Sequence, residues 1–227
     1  MVIHLKKVVP VGRTFDEYIK MFNLTENDCK RWILSVADGP ASFNTEGTQL
    51  GYTIKSVDPL YVFNSEQIKT RFYEVIDDII KQVENTSNDW VWSYHKSPQQ
   101  LRKNRERVIA LFCEDYEQGK KENRYEIGEL PKLKYKDNEY ELGLISHFLF
   151  LYSEYFDQQF HLDAIGEMLR VCQEVRIFPL ITLKHEISPY VDIVIKIFKN
   201  KDYECKIETV SYELQPKGNQ MLKITKV

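Results

Sequence analysis

The sequence predicts an α/β protein in which a mostly parallel sheet carries helices on both faces. Short apolar runs alternate along the chain with longer segments whose apolar residues recur every three to four positions, which is the strand–helix order of a parallel sheet. Several of the short runs are nearly continuous, as expected for strands that are buried on both faces. The last two predicted strands are joined by a turn alone, so we expect an antiparallel hairpin at the sheet edge.

Turn residues bound the predicted strands. Residues 32–37 form a near-continuous apolar run, and the turn Asp38-Gly-Pro-Ala-Ser42 ends it, with Pro40 near the first position of the following helix. The remaining predicted strands are residues 52–57, 125–127, 141–146, 174–180, 204–212 and 220–226.

The clearest predicted helix is residues 65–83, because its apolar residues follow the 3.6-residue period and Ser65 is a natural cap. Further helices are predicted from Thr14 to residue 24, from Ser97-Pro98 to near Gly119, and over residues 157–171 and 189–199. We interpret residues 1–227 as a single domain with a helical and aromatic insertion at about 85–120. The insertion's aromatic patch is interpreted as a lid or substrate wall, with a satellite core as the alternative; it comprises Trp90, Trp92 and Tyr94.

Composition argues against a nucleic-acid partner. Lys and Arg number 31 against 34 Asp and Glu, so the net charge is −3 and no global basic field attracts a phosphate backbone. One basic cluster is interpreted as a solvated helix face, with a patch for nucleic acid or an acidic substrate as the alternative. It comprises Arg102, Lys103, Arg105 and Arg107.

Metal-binding and export signals are not predicted either. The four cysteines, at positions 29, 113, 172 and 205, form no CxxC pair, so we expect buried reduced thiols and no metal site. Residues 1–13 contain no signal-peptide core, and no run approaches the roughly 18 apolar residues of a membrane-spanning helix. We therefore expect a cytoplasmic protein without a membrane partner.

In an open α/β sheet, ligands bind beyond the carboxyl ends of the strands, near the reversal of strand order. Residues 37–43, 58–61, 128–130 and 146–150 follow predicted strands and should therefore lie together. Asp58 ends the second strand about 20 residues after the glycine turn, where a carboxylate accepts hydrogen bonds from a ribose diol. The alternative is that Asp58-Pro59 only starts a turn.

Read jointly, these stretches resemble the class I S-adenosylmethionine (SAM)-dependent methyltransferases, from about Phe15 along most of the chain. Residues 33–43 are similar to the family's first motif, Ser56-Val-Asp58 to the end of its second strand, and residues 127–131 and 140–146 to its adenine-side loop and fourth strand. ADGPASFN, SHFLFLYSE, EVRIFPL and GNQML are most similar to a bacterial subgroup of uncharacterised methyltransferase-like proteins. The resemblance implies a Rossmann-like sheet of seven strands, one of them antiparallel, and SAM as cofactor.

The resemblance also implies a set of SAM-binding residues. They are Ala37, Asp38, Gly39, Pro40, Ala41, Asp58, Pro59, Gly128, Glu129, Leu130 and Ser146. The sequence departs from the family's first motif, because Ser35 stands at the usual acidic position and alanine stands at two usual glycines. Asp38 is the nearest carboxylate able to meet the SAM amino group.

Candidate acceptor-side residues follow the fourth strand and include one from the fifth. His147 is a candidate base, with a packing histidine as the alternative. Phe148, Tyr152 and Arg176 are candidate substrate contacts. A purely structural role is the alternative for Tyr152, and an ion pair with an acid such as Glu174 is the alternative for Arg176.

Three functions compete. The sequence favours methyl transfer from SAM to an acceptor, which we expect to be a small molecule. It is also compatible with a homo-oligomer. A catalytically silent SAM- or nucleoside-binding module is the alternative, because the first motif is altered. An NAD-dependent oxidoreductase is disfavoured, because the first turn lacks the GxGxxG pattern.

Overall fold

Seven strands form one mixed sheet in the computed structural model, which describes residues 9–226. The strands are β1 (Ile33–Val36), β2 (Ile54–Val57), β3 (Tyr125–Glu126), β4 (Tyr140–Ser146), β5 (Cys172–Phe178), β6 (Tyr203–Thr209) and β7 (Gln220–Lys226). Their spatial order is β3-β2-β1-β4-β5-β7-β6. Strands β1 to β5 pair in parallel, and β7 is antiparallel to both of its neighbours. The predicted fold class is confirmed.

Seven α-helices surround this sheet among the described residues. They are α1 (Phe15–Met21), α2 (Glu26–Cys29), α3 (Phe43–Gln49), α4 (Ser65–Asn85), α5 (Pro98–Lys121), α6 (Gln158–Val171) and α7 (Val191–Lys199). Helices α6 and α7 pack on one face of the sheet through a core that contains Leu34 and Val36. Helices α1 and α3 pack on the other face against Ile33, so successive residues of β1 serve opposite faces, as the pleat of a strand requires.

Helices α4 and α5 form a third core at the β3 side of the sheet. Each presents a buried apolar stripe at helical spacing, and Tyr61 and Tyr125 lie between these stripes and the sheet. The buried stripe of α4 consists of Ile68, Phe72, Ile76, Ile80 and Val83. The periodicity that predicted these two helices therefore identifies the faces that they bury.

Two local predictions were wrong. Asn64, and not Ser65, caps α4, since its side chain accepts from the Gln67 N–H and Gln67 returns the bond in a capping box. Pro40 does not open a helix, because α3 begins at Phe43 after Ser42. The predicted antiparallel hairpin is found at the sheet edge, where β7 inserts between β5 and β6 and β6 is the outermost strand.

The described residues bear on two of the predictions about export and membranes. Most of the stretch without a signal-peptide core, residues 1–8, lies outside the described residues. Within residues 9–226, no helix has an apolar stretch of the length that a bilayer crossing requires. The four cysteines are free thiols, and those at positions 29, 172 and 205 are buried.

Candidate active site

A cavity of about 830 Å³ opens at the carboxyl ends of β1, β2 and β4. This is the point of the sheet where the strand order reverses between β1 and β4, which is where open α/β sheets bind ligands. The sequence-predicted site residues that line the cavity are Ala37, Asp38, Gly39, Asp58, Pro59, Ser146, His147, Phe148 and Tyr152. Four loops were expected at this rim, and three of them meet there.

The fourth loop, residues 128–130 after β3, does not line the cavity. A Cβ atom on Gly128 would lie 2.8 Å from Val57 Cγ1, so this residue packs against the end of β2. Glu129 is exposed and bridges to Lys132, and Leu130 is buried in the core on the α6 side. The expectation that these residues contact a ligand is therefore corrected: the loop folds under the sheet rim because its one large apolar residue is taken up by the core.

Arg176 is also removed from the site. It is 3% exposed and does not line the cavity. Its guanidinium donates to Glu174 at 2.6 Å and to Asp28 at 2.8 Å, which ties β5 to α2. Because two carboxylates already compensate this buried charge, the ion-pair alternative with Glu174 is correct and a substrate contact is not.

The first turn, after β1, exposes backbone to the cavity. Ala37 and Gly39 both have a φ of 56°, and nothing lies within 4 Å of the position that a Gly39 Cβ would take. The Tyr61 hydroxyl donates to the Gly39 carbonyl at 2.7 Å, which fixes the turn. Pro40 and Ala41 lie behind it and do not line the cavity. A ligand can therefore approach the backbone at Gly39 closely without meeting a side chain of that residue.

Asp38 is held from three sides. Its carboxylate accepts hydrogen bonds from the hydroxyls of Ser35 at 2.5 Å, Ser56 at 2.6 Å and Tyr18. Burial raises the pKa of Asp38, and these three bonds oppose that rise by stabilising the ionised form. The carboxylate therefore locks the ends of β1 and β2 together at the floor of the cavity.

Asp58 is less fully engaged than Asp38. One of its oxygens accepts from the Gly39 N–H at 2.9 Å and the other from the Leu60 N–H at 2.7 Å. A carboxylate has about four acceptor positions, so about two remain for a ligand. Burial raises the pKa of Asp58 to about 6, and the two backbone N–H groups oppose this rise. The residue thus joins the first turn to the second strand and still has acceptor capacity that faces the cavity.

His147 follows β4 in a left-handed backbone conformation with a φ of 52°. Its N–H donates to the Phe178 carbonyl at 2.6 Å, and its Nδ1 lies 2.9 Å from the Ser146 hydroxyl. Burial, together with the nearby cations Arg13 and Arg105, lowers the pKa of His147 well below its usual value. The imidazole is therefore neutral near pH 7, which is the form that can accept a proton.

Sequence reasoning missed two arginines that line the polar end of the cavity, Arg13 and Arg105. Arg105 belongs to the cluster that was interpreted as a solvated helix face, but it is 2% exposed and donates to Glu17 at 2.8 Å. Its spacing of four residues from Leu101 and from Ile109 places it on the buried stripe of α5, and that signal was present in the sequence. No pattern in the sequence marks Arg13.

The opposite wall of the cavity is largely apolar, although Arg71, Glu74 and Asp78 of α4 also line the cavity. Val75 and Ile79 of α4 line it half-buried, one turn apart. Other apolar side chains that line this part are Phe63, Trp90, Leu101, Leu151, Leu183 and Leu214. Trp90 comes from the connection between α4 and α5, so one residue of the predicted aromatic patch contributes to the wall. A lid role for that patch stays a prediction.

Comparison with known proteins places this geometry in a context. No family model matches the chain. The chain is 37% identical over 221 residues to the Uncharacterized protein MJ0045 of Methanocaldococcus jannaschii, and the match covers 97% of both proteins. That relative is archaeal, so the expected bacterial subgroup stays a prediction.

Two solved structures can be superposed on most of the chain. The magnesium protoporphyrin IX methyltransferase (ChlM) from Synechocystis PCC 6803 with bound SAM gives a TM-score of 0.50 at 11% identity, over 94% of this chain and 78% of that chain. The PH0226 protein from Pyrococcus horikoshii OT3 gives 0.49 at 10% identity, over 94% and 91%. At such low identity the likeness to ChlM concerns the fold, and it confirms the Rossmann-like methyltransferase sheet.

Proposed function

We propose that this chain, which belongs to the family of the M. jannaschii protein MJ0045, is a SAM-dependent methyltransferase that acts on a small molecule. The observation that carries the proposal is the hydrogen bond between Gly39 and Asp58 at the switch point of the sheet. It holds the open backbone of Gly39 and a carboxylate with unused acceptor capacity on the wall of one cavity. The cytoplasmic location and the homo-oligomer considered from the sequence remain predictions.

The residues present fit this cofactor. Asp58 is suited to accept hydrogen bonds from the two ribose hydroxyls, because two of its acceptor positions are not used by backbone N–H groups. The open backbone of Ala37–Gly39 provides room for the methionine part. Leu60 and Phe63 line the cavity beyond Asp58 and offer apolar surface to the adenine in place of residues 128–130.

When bound, SAM supplies a methyl group on a sulfonium sulfur, which leaves as the thioether of S-adenosylhomocysteine (SAH) when an acceptor takes the methyl. The task of the chain is then to align the acceptor and to exclude water. His147 is placed to take a proton from an acceptor hydroxyl or amine, because its imidazole is neutral and lines the cavity.

The proposal is tested by ligand-dependent melting of the wild-type chain. A ligand at 100 times its Kd stabilises the folded state by about 2.7 kcal/mol, which for a protein of this size corresponds to roughly 5–10 °C. We expect SAM and SAH to raise the melting temperature and NAD to leave it unchanged. Absence of a shift with both SAM and SAH, confirmed by calorimetric titration, would overturn the proposal.

Replacing His147 by asparagine should separate catalysis from cofactor binding. Asparagine tolerates the positive φ at this position, so the fold is expected to persist. We expect the turnover of SAM to fall about a hundredfold with an acceptor that must lose a proton, while the Kd for SAH stays within about threefold. Because the pKa of His147 is depressed, the wild-type kcat should show no loss near pH 6.5 from its protonation.

His185→Asn is the matched control, since His185 also has a positive φ, of 60°, and does not line the cavity. Turnover is followed as SAH formation with an acceptor found in a metabolite screen. Equal turnover of His147→Asn and His185→Asn would assign His147 to packing.

A further inference from the structure

We infer that the acceptor is an amphipathic anion, a small molecule whose apolar body packs against the α4 wall and whose single anionic group is bound by Arg13. This inference rests on the proposed function and names the class of substrate for the same cavity. Two independent features carry it: a partly buried cation without an ion-pair partner among residues 9–226, and apolar side chains of α4 opposite the polar rim.

Arg13 is fixed beside the first turn. A Cβ atom on the preceding Gly12 would overlap the Pro40 carbonyl, so the backbone here lies directly on the turn. The Ser42 N–H donates to the Arg13 carbonyl at 3.0 Å, which holds the segment in place. The position of the guanidinium is therefore set by the same turn that we assign to the methyl donor.

The charge of Arg13 is not compensated within the described residues. Its Nη1 donates to the Val11 carbonyl, its Nε is buried without a hydrogen-bond partner, and no carboxylate of residues 9–226 forms an ion pair with it. Arg105 differs, because Glu17 compensates it. Burial, with Arg105 nearby, lowers the pKa of Arg13, although Tyr212 and Glu17 oppose this change. An anionic ligand at this point would supply the missing partner.

The apolar wall is distinct from the core behind it. Ile76 and Ile80 of α4 line the cavity but are buried in the core shared with α5, whereas Val75 and Ile79, one position earlier, line it and are only half-buried. Leu151 and Leu183 come to the same cavity from beyond β4 and β5. Covering this wall with an apolar body removes it from water, and the hydrophobic effect favours that burial. We expect a nucleoside donor held by Asp58 to leave Val75 and Ile79 uncovered, because it occupies the strand ends and the Leu60 and Phe63 side of the cavity.

The anion that Arg13 binds could belong to the acceptor or to the methyl donor, because SAM also carries a carboxylate. The experiment must therefore distinguish these two ligands. We would use two fluorescent probes with the same ring body: 1-anilinonaphthalene-8-sulfonate, which is anionic, and N-phenyl-1-naphthylamine, which is uncharged. Wild-type protein should bind the anionic probe about tenfold more tightly or better, since a hydrogen bond to a charged group contributes that much. Arg13→Gln should abolish this preference, and Ile79→Asn should weaken both probes.

Arg102→Gln is the matched control, because Arg102 is a partly exposed arginine of α5 outside the cavity, paired with Asp77 and Glu106. It should leave both probe affinities unchanged. Melting curves of all variants confirm that each is folded, so that probe binding reports the cavity. An unchanged preference for the anionic probe in Arg13→Gln would overturn the inference.

Saturation with SAH or with 5′-methylthioadenosine, which lacks the amino-acid carboxylate, identifies the source of the anion. The charge preference should persist under both ligands if Arg13 serves the acceptor. Loss of the preference under SAH alone would show that Arg13 binds the carboxylate of the donor. Displacement of both probes would show that the donor covers the α4 wall. Either result overturns the inference. If neither adenosyl ligand raises the melting temperature while the probes behave as expected, the proposed methyl transfer fails and the anion site stands.

Discussion

Replacing Glu17 by glutamine is expected to lower the free energy of unfolding by about 3–5 kcal/mol, because it leaves a buried arginine without its counter-ion. Glu17 is fully buried and Arg105 is 2% exposed. Although burial alone would raise the pKa of Glu17, Arg105 and His95 hold it well below its usual value. The carboxylate is therefore ionised near neutral pH, and at that pH its loss cannot be offset by a change of protonation.

The Glu17 carboxylate connects three parts of the chain. One oxygen accepts from Arg105 of α5 at 2.8 Å and from the Thr14 N–H at 2.9 Å. The other accepts from the Tyr212 hydroxyl, which follows β6, at 3.0 Å. Glutamine keeps one acceptor oxygen but presents an amide where two donors point, so both the charge and the hydrogen-bond pattern fail.

The measurement is urea or thermal unfolding at pH 7.5, where the expected loss corresponds to a melting temperature lower by on the order of 10 °C. Glu106→Gln is the matched control, since Glu106 pairs with Arg102 at the partly exposed surface of α5 and should cost less than about 1 kcal/mol. The double variant Glu17→Leu, Arg105→Leu should be more stable than Glu17→Gln, because it removes the uncompensated charge. Equal stability of Glu17→Gln and Glu106→Gln would contradict the assignment.

The sheet could be predicted because its strands carry their own signal. Residues of β1 and β4 are apolar on both faces, which only a strand between two helical layers requires. The predicted and observed elements differ at their ends. The first strand begins one residue later than the apolar run. Asn64 caps α4 in place of Ser65, because both residue types are good caps and only the backbone conformation decides between them.

Only the part of the site that follows the strands could be predicted. Gly39, Asp58 and His147 come directly after β1, β2 and β4, so the parallel sheet brings them to one rim. Arg13 precedes the sheet and reaches the rim only because Gly12 packs on the first turn, a tertiary contact without a local signal. The loop after β3 was misplaced for the converse reason: it follows a strand that ends level with β2, but Gly128 packs against Val57 and Leu130 is buried in the core.

Replacing Asp58 by asparagine is expected to weaken SAH binding about 10²- to 10³-fold, because two hydrogen bonds from ribose hydroxyls to a charged acceptor are lost. Asparagine retains one acceptor oxygen, but its NH₂ group meets one of the two backbone N–H donors from Gly39 and Leu60, so the turn is also disturbed. The Kd is measured by calorimetric titration. Asp163→Asn, an exposed aspartate of α6 outside the cavity, serves as the control and should bind SAH like the wild type.

The pH dependence of SAH binding gives a sharper test of the same residue. Burial raises the pKa of Asp58 to about 6, so its carboxylate takes up a proton at a higher pH than an ordinary aspartate does. Since the ionised form accepts the ribose hydroxyls, wild-type affinity should be constant above about pH 7 and fall up to tenfold per pH unit below about 6. The difference between wild type and Asp58→Asn should therefore shrink towards pH 5, and a difference that is independent of pH would contradict the role of the ionised carboxylate.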